Sequence, residues 1–136
     1  MSDPIVHHAA VTVSELDRAV EFYTDAFGFD VAAEFAVGGD AFADAVGVPG
    51  ASGSFVHLDG GDAVVELVEY DPSGEPTAEP SLDRPGATHI GIAVDAVYAG
   101  LDETVETLSE PRTTESGTTI LFVRDPDGNL VEVLDA

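Results

Sequence analysis

The sequence predicts an α+β fold in which one β-α-β-β-β module occurs twice in tandem. The first observation is a repeated strand, because HAAVTV at 8–13 resembles HIGIAV at 89–94, each a histidine followed by an apolar run. The second is a repeated hairpin, because SFVHLDGGDAVVEL at 54–67 aligns without a gap on ILFVRDPDGNLVEV at 120–133. Two such sheets, packed side by side, can curl around a shared cavity.

A helical pattern follows the repeated strand in each half. In the first half, Ser14 is predicted as the N-cap and Gly28 as the residue that ends the helix. Its apolar stripe, at helical spacing, consists of Leu16, Ala19, Val20, Tyr23, Ala26 and Phe27. The stripe of the second half consists of Val97, Leu101, Val105 and Leu108, and Pro111 follows its end. Each half is therefore predicted to carry one helix after its first strand.

The two halves differ in length because the first contains an insertion. Glu66 falls on Glu132 at an offset of 66, whereas His8 falls on His89 at an offset of 81. The difference of 15 residues places the insertion at about 38–53, a Gly-rich stretch with room for a short helix.

The predicted organisation is a single domain covering residues 1–136. Its modules lie at about 5–70 and 87–136, and a connector at 71–86 joins them. The prolines and acidic residues of the connector are typical of a linker.

Charge is the strongest compositional signal. Asp and Glu number 27 against four Lys and Arg, and the net charge is −23. A nucleic-acid partner is excluded, because binding needs a basic surface, and an anionic membrane is excluded for the same reason. Interspersed acidic residues with almost no cations predict a halophilic protein, because self-repulsion of this size requires screening by salt.

Cysteine is absent, which excludes disulfides, thiolate metal sites and a cysteine nucleophile. The N-terminal stretch MSDPIVHHAA lacks the basic and apolar regions of a signal peptide. The expected location is the cytoplasm.

Four polar residues recur at matched positions in the two halves. His8 and His89 begin the first strands, and Glu66 and Glu132 lie among apolar residues in the last strands. A carboxylate in an apolar strand is costly to bury unless it is paired or bound to a metal. Two imidazoles and two carboxylates suit one divalent first-row metal, with Zn, Ni, Co, Mn and Fe all compatible. Packed histidines and solvated glutamates are the ordinary alternative.

The sequence resembles the vicinal oxygen chelate superfamily, also called the glyoxalase/bleomycin-resistance/extradiol-dioxygenase superfamily. The resemblance covers nearly the whole chain, through the segments 7–29, 63–70, 88–97 and 122–133. It implies paired βαβββ modules that form an open, cupped mixed sheet around a metal. The metal-ligand positions of the family fall on His8, Glu66, His89 and Glu132.

The resemblance also implies an activity. Four protein ligands leave two positions open on an octahedral ion, which resembles glyoxalase I and the acyl-CoA epimerases. Such enzymes move a proton next to a carbonyl through a metal-stabilised enediolate or enolate. Glu132 is the first candidate for the catalytic base and Glu66 the second.

Two other functions stay open. An iron(II) extradiol-type dioxygenase would need Glu66 to swing away from the metal, since two histidines and one carboxylate leave three positions free. A non-catalytic drug-binding protein is the third function. Binding proteins of this kind generally lack the metal residues, whereas this chain has a histidine or a glutamate at all four metal-ligand positions.

The predicted substrate pocket contains His57, Phe55, Phe122 and Tyr70. His57 is a candidate auxiliary acid or base, whereas His7 is predicted to point away from His8 as a non-ligand. Glu69 is predicted to be solvated. Arg18 and Arg124 are expected in surface ion pairs, which favours a small, weakly charged substrate.

A homodimer is predicted, because each module has an open sheet edge and two-fold dimers are the commonest soluble oligomer. Its metal cup can lie within one chain or be shared between two chains, and the long connector permits either arrangement.

Overall fold

Each half of the chain folds into its own four-stranded mixed sheet. The computed structural model describes residues 3–77, 81–96 and 101–135. The chain divides into two compact units, Met1–Pro76 and Thr77–Ala136. Among the described residues, neither helix has the length and apolar composition that crossing a bilayer requires.

The first unit contains four strands and two helices. In chain order they are β1 (His8–Thr12), α1 (Leu16–Phe27), β2 (Asp30–Val37), α2 (Asp40–Val46), β3 (Ser52–Asp59) and β4 (Val64–Asp71). The strand order in the sheet is β1-β4-β3-β2. β1 is parallel to β4, and the other pairs are antiparallel. The predicted short helix in the insertion is confirmed as α2.

Helix α1 packs on one face of this sheet through Ala19 and Tyr23, which are fully buried. It ends at Gly28, whose left-handed φ of 71° lets its N–H bond to the Thr24 carbonyl. The predicted C-terminal end is therefore confirmed.

The predicted N-cap is wrong. Helix α1 begins one residue later, with Glu15 at the N-cap position and no side-chain cap of its own. The Glu69 carboxylate of β4 accepts the Leu16 N–H at 2.8 Å instead, while Ser14 Oγ accepts from Arg18 at 3.2 Å. Glu69 is partly buried by this contact, so the prediction of a merely solvated residue is also wrong.

The second unit repeats the sheet of the first. Its strands are β5 (Ile90–Ala93), β6 (Arg112–Thr113), β7 (Thr119–Arg124) and β8 (Leu130–Asp135). Their order, β5-β8-β7-β6, corresponds position by position to β1-β4-β3-β2, again with the first and last strands parallel. The predicted α+β class with duplicated strand topology is confirmed.

The second predicted helix differs from the prediction. Val97 lies outside the described residues, and residues 101–108 form turns rather than a helix. The Asp102 carboxylate accepts the Thr104 N–H at 2.8 Å, and this hydrogen bond lowers the pKa of Asp102. Thr107 then bridges Val123 of β7. A side chain that competes for backbone N–H groups, together with an open strand edge, explains why the apolar spacing does not produce a helix here.

The turns of the two hairpins differ in length by one residue. The gapless alignment of 54–67 on 120–133 is therefore wrong by one position on β7. In the first, Gly60 N–H bonds to the Ala63 carbonyl around a two-residue turn. In the second, Asp125 N–H bonds to the Asn129 carbonyl around a three-residue turn, 126–128. Three-residue turns of this kind use a left-handed glycine, and Gly128 has a φ of 83°.

Candidate metal centre

In the first unit, strand register brings His57 and Glu66 directly opposite each other. His57 of β3 pairs with Glu66 of β4, which in turn lies beside Ala10 of β1. Residues in register share a face of the sheet, and His8 lies two positions before Ala10 on that same face. Three ionisable side chains therefore gather on the face opposite to α1.

Glu66 is the buried centre of this group, with 9% of its surface exposed. Its Oε1 lies 2.8 Å from His57 Nε2, and its Oε2 lies 3.6 Å from His8 Nε2. The first contact is a hydrogen bond that His57 donates, whereas the second is longer than a normal hydrogen bond. One carboxylate oxygen is thus engaged by β3, and the other faces the first strand.

His7 also belongs to this group, contrary to the prediction that it points away. Its Nδ1 lies 2.9 Å from His8 Nδ1, and its ring lies 6.4 Å from the ring of His57. Strand β1 begins only at His8, so the alternation of side chains that motivated the prediction does not extend to residue 7.

The second unit has a matching pair. His89 Nε2 lies 3.2 Å from Glu132 Oε1, and Gly91 of β5 lies beside Glu132 as Ala10 lies beside Glu66. The residue opposite Glu132 on β7 is Phe122, whose ring packs edge-on against His89 at 5.1 Å. Phe122 therefore occupies the position that His57 has in the first unit.

The other predicted pocket residues lie along the same face of the first sheet. Phe55, two positions before His57, stacks on Phe35 at 5.1 Å, and Phe35 also contacts the His57 ring at 5.0 Å. Phe42 of α2 contacts both Phe55 and Tyr70. Phe55 is buried while Phe35 is 41% exposed, so Phe35 offers the accessible aromatic surface next to His57. The sequence alone did not indicate Phe35, because its partner across β3 depends on register.

Each unit thus supplies one histidine, the first residue of β1 or the residue just before β5, close to one glutamate of its last strand. Imidazole nitrogen and carboxylate oxygen are donors that divalent first-row metals accept, so the residues fit such an ion. Across residues 3–77, 81–96 and 101–135, no set of three or more His, Asp or Glu side chains is arranged to hold a metal by itself. The four-ligand centre stays a prediction.

Two of the arginines form ion pairs, as expected. Arg18 Nε lies 3.4 Å from Glu15, and Arg124 Nε lies 3.6 Å from Glu106. Arg112 of β6 is in register with Ile120 of β7, two positions from Phe122, so it lies on the face that carries Glu132.

Solved structures share this fold. A glyoxalase family protein from Bacillus cereus is 15% identical with a TM-score of 0.85, over 98% of this chain and 95% of that one. A glyoxalase family protein from Enterococcus faecalis is 25% identical with a TM-score of 0.68, over 96% of each chain. The trypanothione-dependent glyoxalase I of Leishmania major is 24% identical with a TM-score of 0.65, over 98% of this chain and 87% of that one.

A comparison with curated protein sequences found no match. The family model for the Glyoxalase/Bleomycin resistance protein/Dioxygenase superfamily matches residues 5–133, which is nearly the whole chain. The duplicated strand order of the two sheets and the paired histidine and glutamate positions agree with that match. The chain belongs to the Glyoxalase/Bleomycin resistance protein/Dioxygenase superfamily.

Proposed function

We propose that the protein is a divalent-metal-dependent lyase or isomerase of the glyoxalase I kind, which moves a proton next to a carbonyl group. The observation that carries the proposal is the repeated donor pair. His8 lies 3.6 Å from Glu66 and His89 lies 3.2 Å from Glu132, at equivalent places in two sheets of the same topology. Similarity to glyoxalase I of Leishmania major supports the fold that this activity requires.

In this proposal, His8, Glu66, His89 and Glu132 hold one metal ion, with each unit contributing a nitrogen and an oxygen donor. A bound divalent ion acts as a Lewis acid that polarises the carbonyl oxygen of the substrate. Four protein ligands leave room for a substrate bound through one or two oxygens.

The protein's own part in the reaction is the proton transfer. A glutamate oxygen takes the proton when the C–H bond beside the carbonyl breaks, and the electron pair moves toward the carbonyl. The same carboxylic acid then returns the proton to the former carbonyl carbon, while the hydroxyl proton on the first carbon moves to the former carbonyl oxygen, so the isomerisation needs no co-reactant. Glu132 is the first candidate for this role, because its side chain is 22% exposed against 12% for Glu66.

The substrate in this proposal is small and weakly charged. Aromatic rings line the sheet face beside His57, and Phe35 is exposed among them. Arg18 and Arg124, by contrast, are engaged with Glu15 and Glu106, and the chain has no lysine to hold a highly anionic conjugate. We further propose that the protein works as a homodimer in the cytoplasm of a halophile. The acidic composition supports the halophilic origin, and the open edges of the two sheets support the dimer.

Metal analysis of protein purified without chelators, combined with proton-exchange assays, tests the proposal. The assay follows incorporation of solvent deuterium into hemithioacetals of small 2-oxoaldehydes. We expect about one Ni, Zn, Co or Mn ion per chain and exchange that stops on chelation. Iron with oxygen consumption on catechols would indicate the dioxygenase instead. Absence of metal, with tight binding of an unchanged small molecule, would indicate a binding protein.

A further inference from the structure

The two glutamates occupy equivalent positions but have different neighbours. Glu66 has a hydrogen-bond donor directly across from it, with His57 Nε2 at 2.8 Å from Oε1. Glu132 has the hydrocarbon ring of Phe122 at the corresponding place, so its only described side-chain polar partner is His89. The duplicated module is therefore asymmetric at this one position.

His57 is well placed to fix the orientation of the Glu66 carboxylate. Its side chain is 16% exposed, and its ring is held edge-on against Phe35 at 5.0 Å. A partly buried imidazole packed against a ring has fewer alternative rotamers than a free one, so its N–H defines the direction of the carboxylate that accepts it. The second oxygen of Glu66 then faces His8, at 3.6 Å from Nε2.

We propose that His57 is a positioning residue that locks the Glu66 carboxylate as a stationary ligand and leaves Glu132 as the glutamate free to carry protons. This inference rests on the proposed function and assigns different roles to its two glutamates. A proton carrier must change its orientation during the cycle, whereas a carboxylate held by a packed hydrogen-bond donor loses that freedom.

The asymmetry between the two units supplies the test variants. His57→Phe places opposite Glu66 the phenylalanine that lies opposite Glu132, and Phe122→His places opposite Glu132 the histidine that lies opposite Glu66. His57→Gln keeps an N–H at a similar reach and serves as the conservative rescue. His57→Leu is a second apolar variant in case the larger ring prevents folding.

The first readout is metal affinity, measured by chelator competition with Zn²⁺ and Ni²⁺. Loss of a hydrogen bond to a metal ligand weakens metal binding about 10–100-fold. We expect a loss in this range for His57→Phe and His57→Leu and a smaller loss for His57→Gln. Wild-type affinity in both apolar variants, or an equal loss in all three, would overturn the inference.

The second readout needs no metal and no activity. NMR order parameters of the Glu66 and Glu132 side-chain methylene groups are compared in the metal-free protein. We expect Glu66 to be the more rigid, and His57→Phe to lower its order parameter to that of Glu132. Equal order parameters in the wild type would overturn the inference. Because this readout is metal-free, it decides the role of His57 even if the wild type binds no metal, a result that would refute the proposed function separately.

The third readout is the kinetic effect of Phe122→His. A donor across from Glu132 should lower kcat for proton exchange, while metal affinity stays at or above the wild-type value because the added hydrogen bond holds a proposed metal ligand in place. An unchanged kcat in a folded, metal-loaded variant would contradict the mobile role of Glu132.

Discussion

Glu66 is a carboxylate set among buried apolar residues, since its neighbours Val65, Leu67 and Val68 on β4 are all buried. Burying an ionised group without partners is unfavourable by several kcal/mol, and one hydrogen bond offsets only part of this cost. His57 supplies that hydrogen bond, and a cation at Oε2 would supply the rest. The local energetics therefore favour a role for Glu66 that involves a positive charge.

The first prediction concerns Glu132. Glu132→Gln should lower the rate of proton exchange about 10²–10⁴-fold, because an amide cannot accept the proton. Metal content should fall less, since three proposed donors remain. The measurement is deuterium incorporation together with metal analysis of the purified variant.

Glu21→Gln, which neutralises an exposed acid on α1, is the matched control and should retain full exchange. A Glu132→Gln variant as active as this control would exclude Glu132 as the base.

At the residue scale, the sequence predicted the recurring pairs but not all of their surroundings. His8, Glu66, His89 and Glu132 were found because duplication repeats them in the chain. The contact between His57 and Glu66 depends on hairpin register, which the strand pattern alone left open. His7 was misplaced because strand alternation was applied to a residue that precedes the strand.

At the scale of elements, Glu69 connects a strand to a helix. From its place on β4, Glu69 accepts the N–H of Leu16, the first residue of α1, which lies 53 residues away in sequence. It thus satisfies a backbone donor at a helix end where the N-cap residue Glu15 makes no side-chain cap. A carboxylate near a helix N-terminus also interacts favourably with the helix dipole.

The second prediction follows from this contact. Glu69→Ala should lower the free energy of unfolding by about 1–2 kcal/mol, the usual cost of losing a cap. Glu21→Ala, which removes an exposed carboxylate from α1, is the matched control and should change stability far less. Denaturant unfolding at high salt measures both. Equal effects of the two variants would show that Glu69 does not anchor the helix.

Helices and strands were predicted correctly where the preference of the local sequence agreed with the contacts that the segment makes in the fold. The first strand and the hairpin of each half, α1, its end at Gly28 and the short α2 were predictable from periodicity and glycine placement, whereas β2 and β6 were not placed. The segment 101–108 has helical spacing, yet Thr107 bridges an open strand edge instead. The hydrogen bond from the Leu16 N–H to Glu69 was not predictable from local sequence, because Glu69 belongs to another element.

At the scale of the whole molecule, net charge dominates. A value of −23 over 136 residues means that most surface charges repel one another. Repulsion between exposed charges is screened as the Debye length falls to about 3 Å at 1 M salt.

The third prediction is that stability depends on salt. The melting temperature should rise steadily as potassium chloride increases from millimolar to molar concentrations, because screening relieves repulsion in the folded state more than in the expanded chain. Thermal unfolding monitored by circular dichroism measures this. A melting temperature that stays constant over the range would contradict the halophilic interpretation.

The fourth prediction is a homodimer. Sedimentation in high salt should give the mass of two chains at micromolar concentrations, and a monomer throughout would refute the prediction. Each sheet has edge strands that invite association, which is the physical reason to expect a partner.

Mixing His8→Ala and Glu132→Ala chains then tests whether the proposed centre is shared. If the first unit of one chain works with the second unit of the other, the mixed dimer regains one intact centre and part of the activity. If each centre lies within one chain, every centre keeps a defect and no activity returns.

The extra residue in the 126–128 turn carries a consequence for how this chain can diverge. Losing one residue from this turn would leave Asp125 bonded to Asn129 around a two-residue turn, the length that separates Gly60 from Ala63 in the first hairpin. Phe122 lies three positions before Asp125, as His57 lies three positions before Gly60, so Phe122 would stay opposite Glu132. The length of this turn can therefore vary by one residue between relatives of this chain without changing which side chain faces the glutamate.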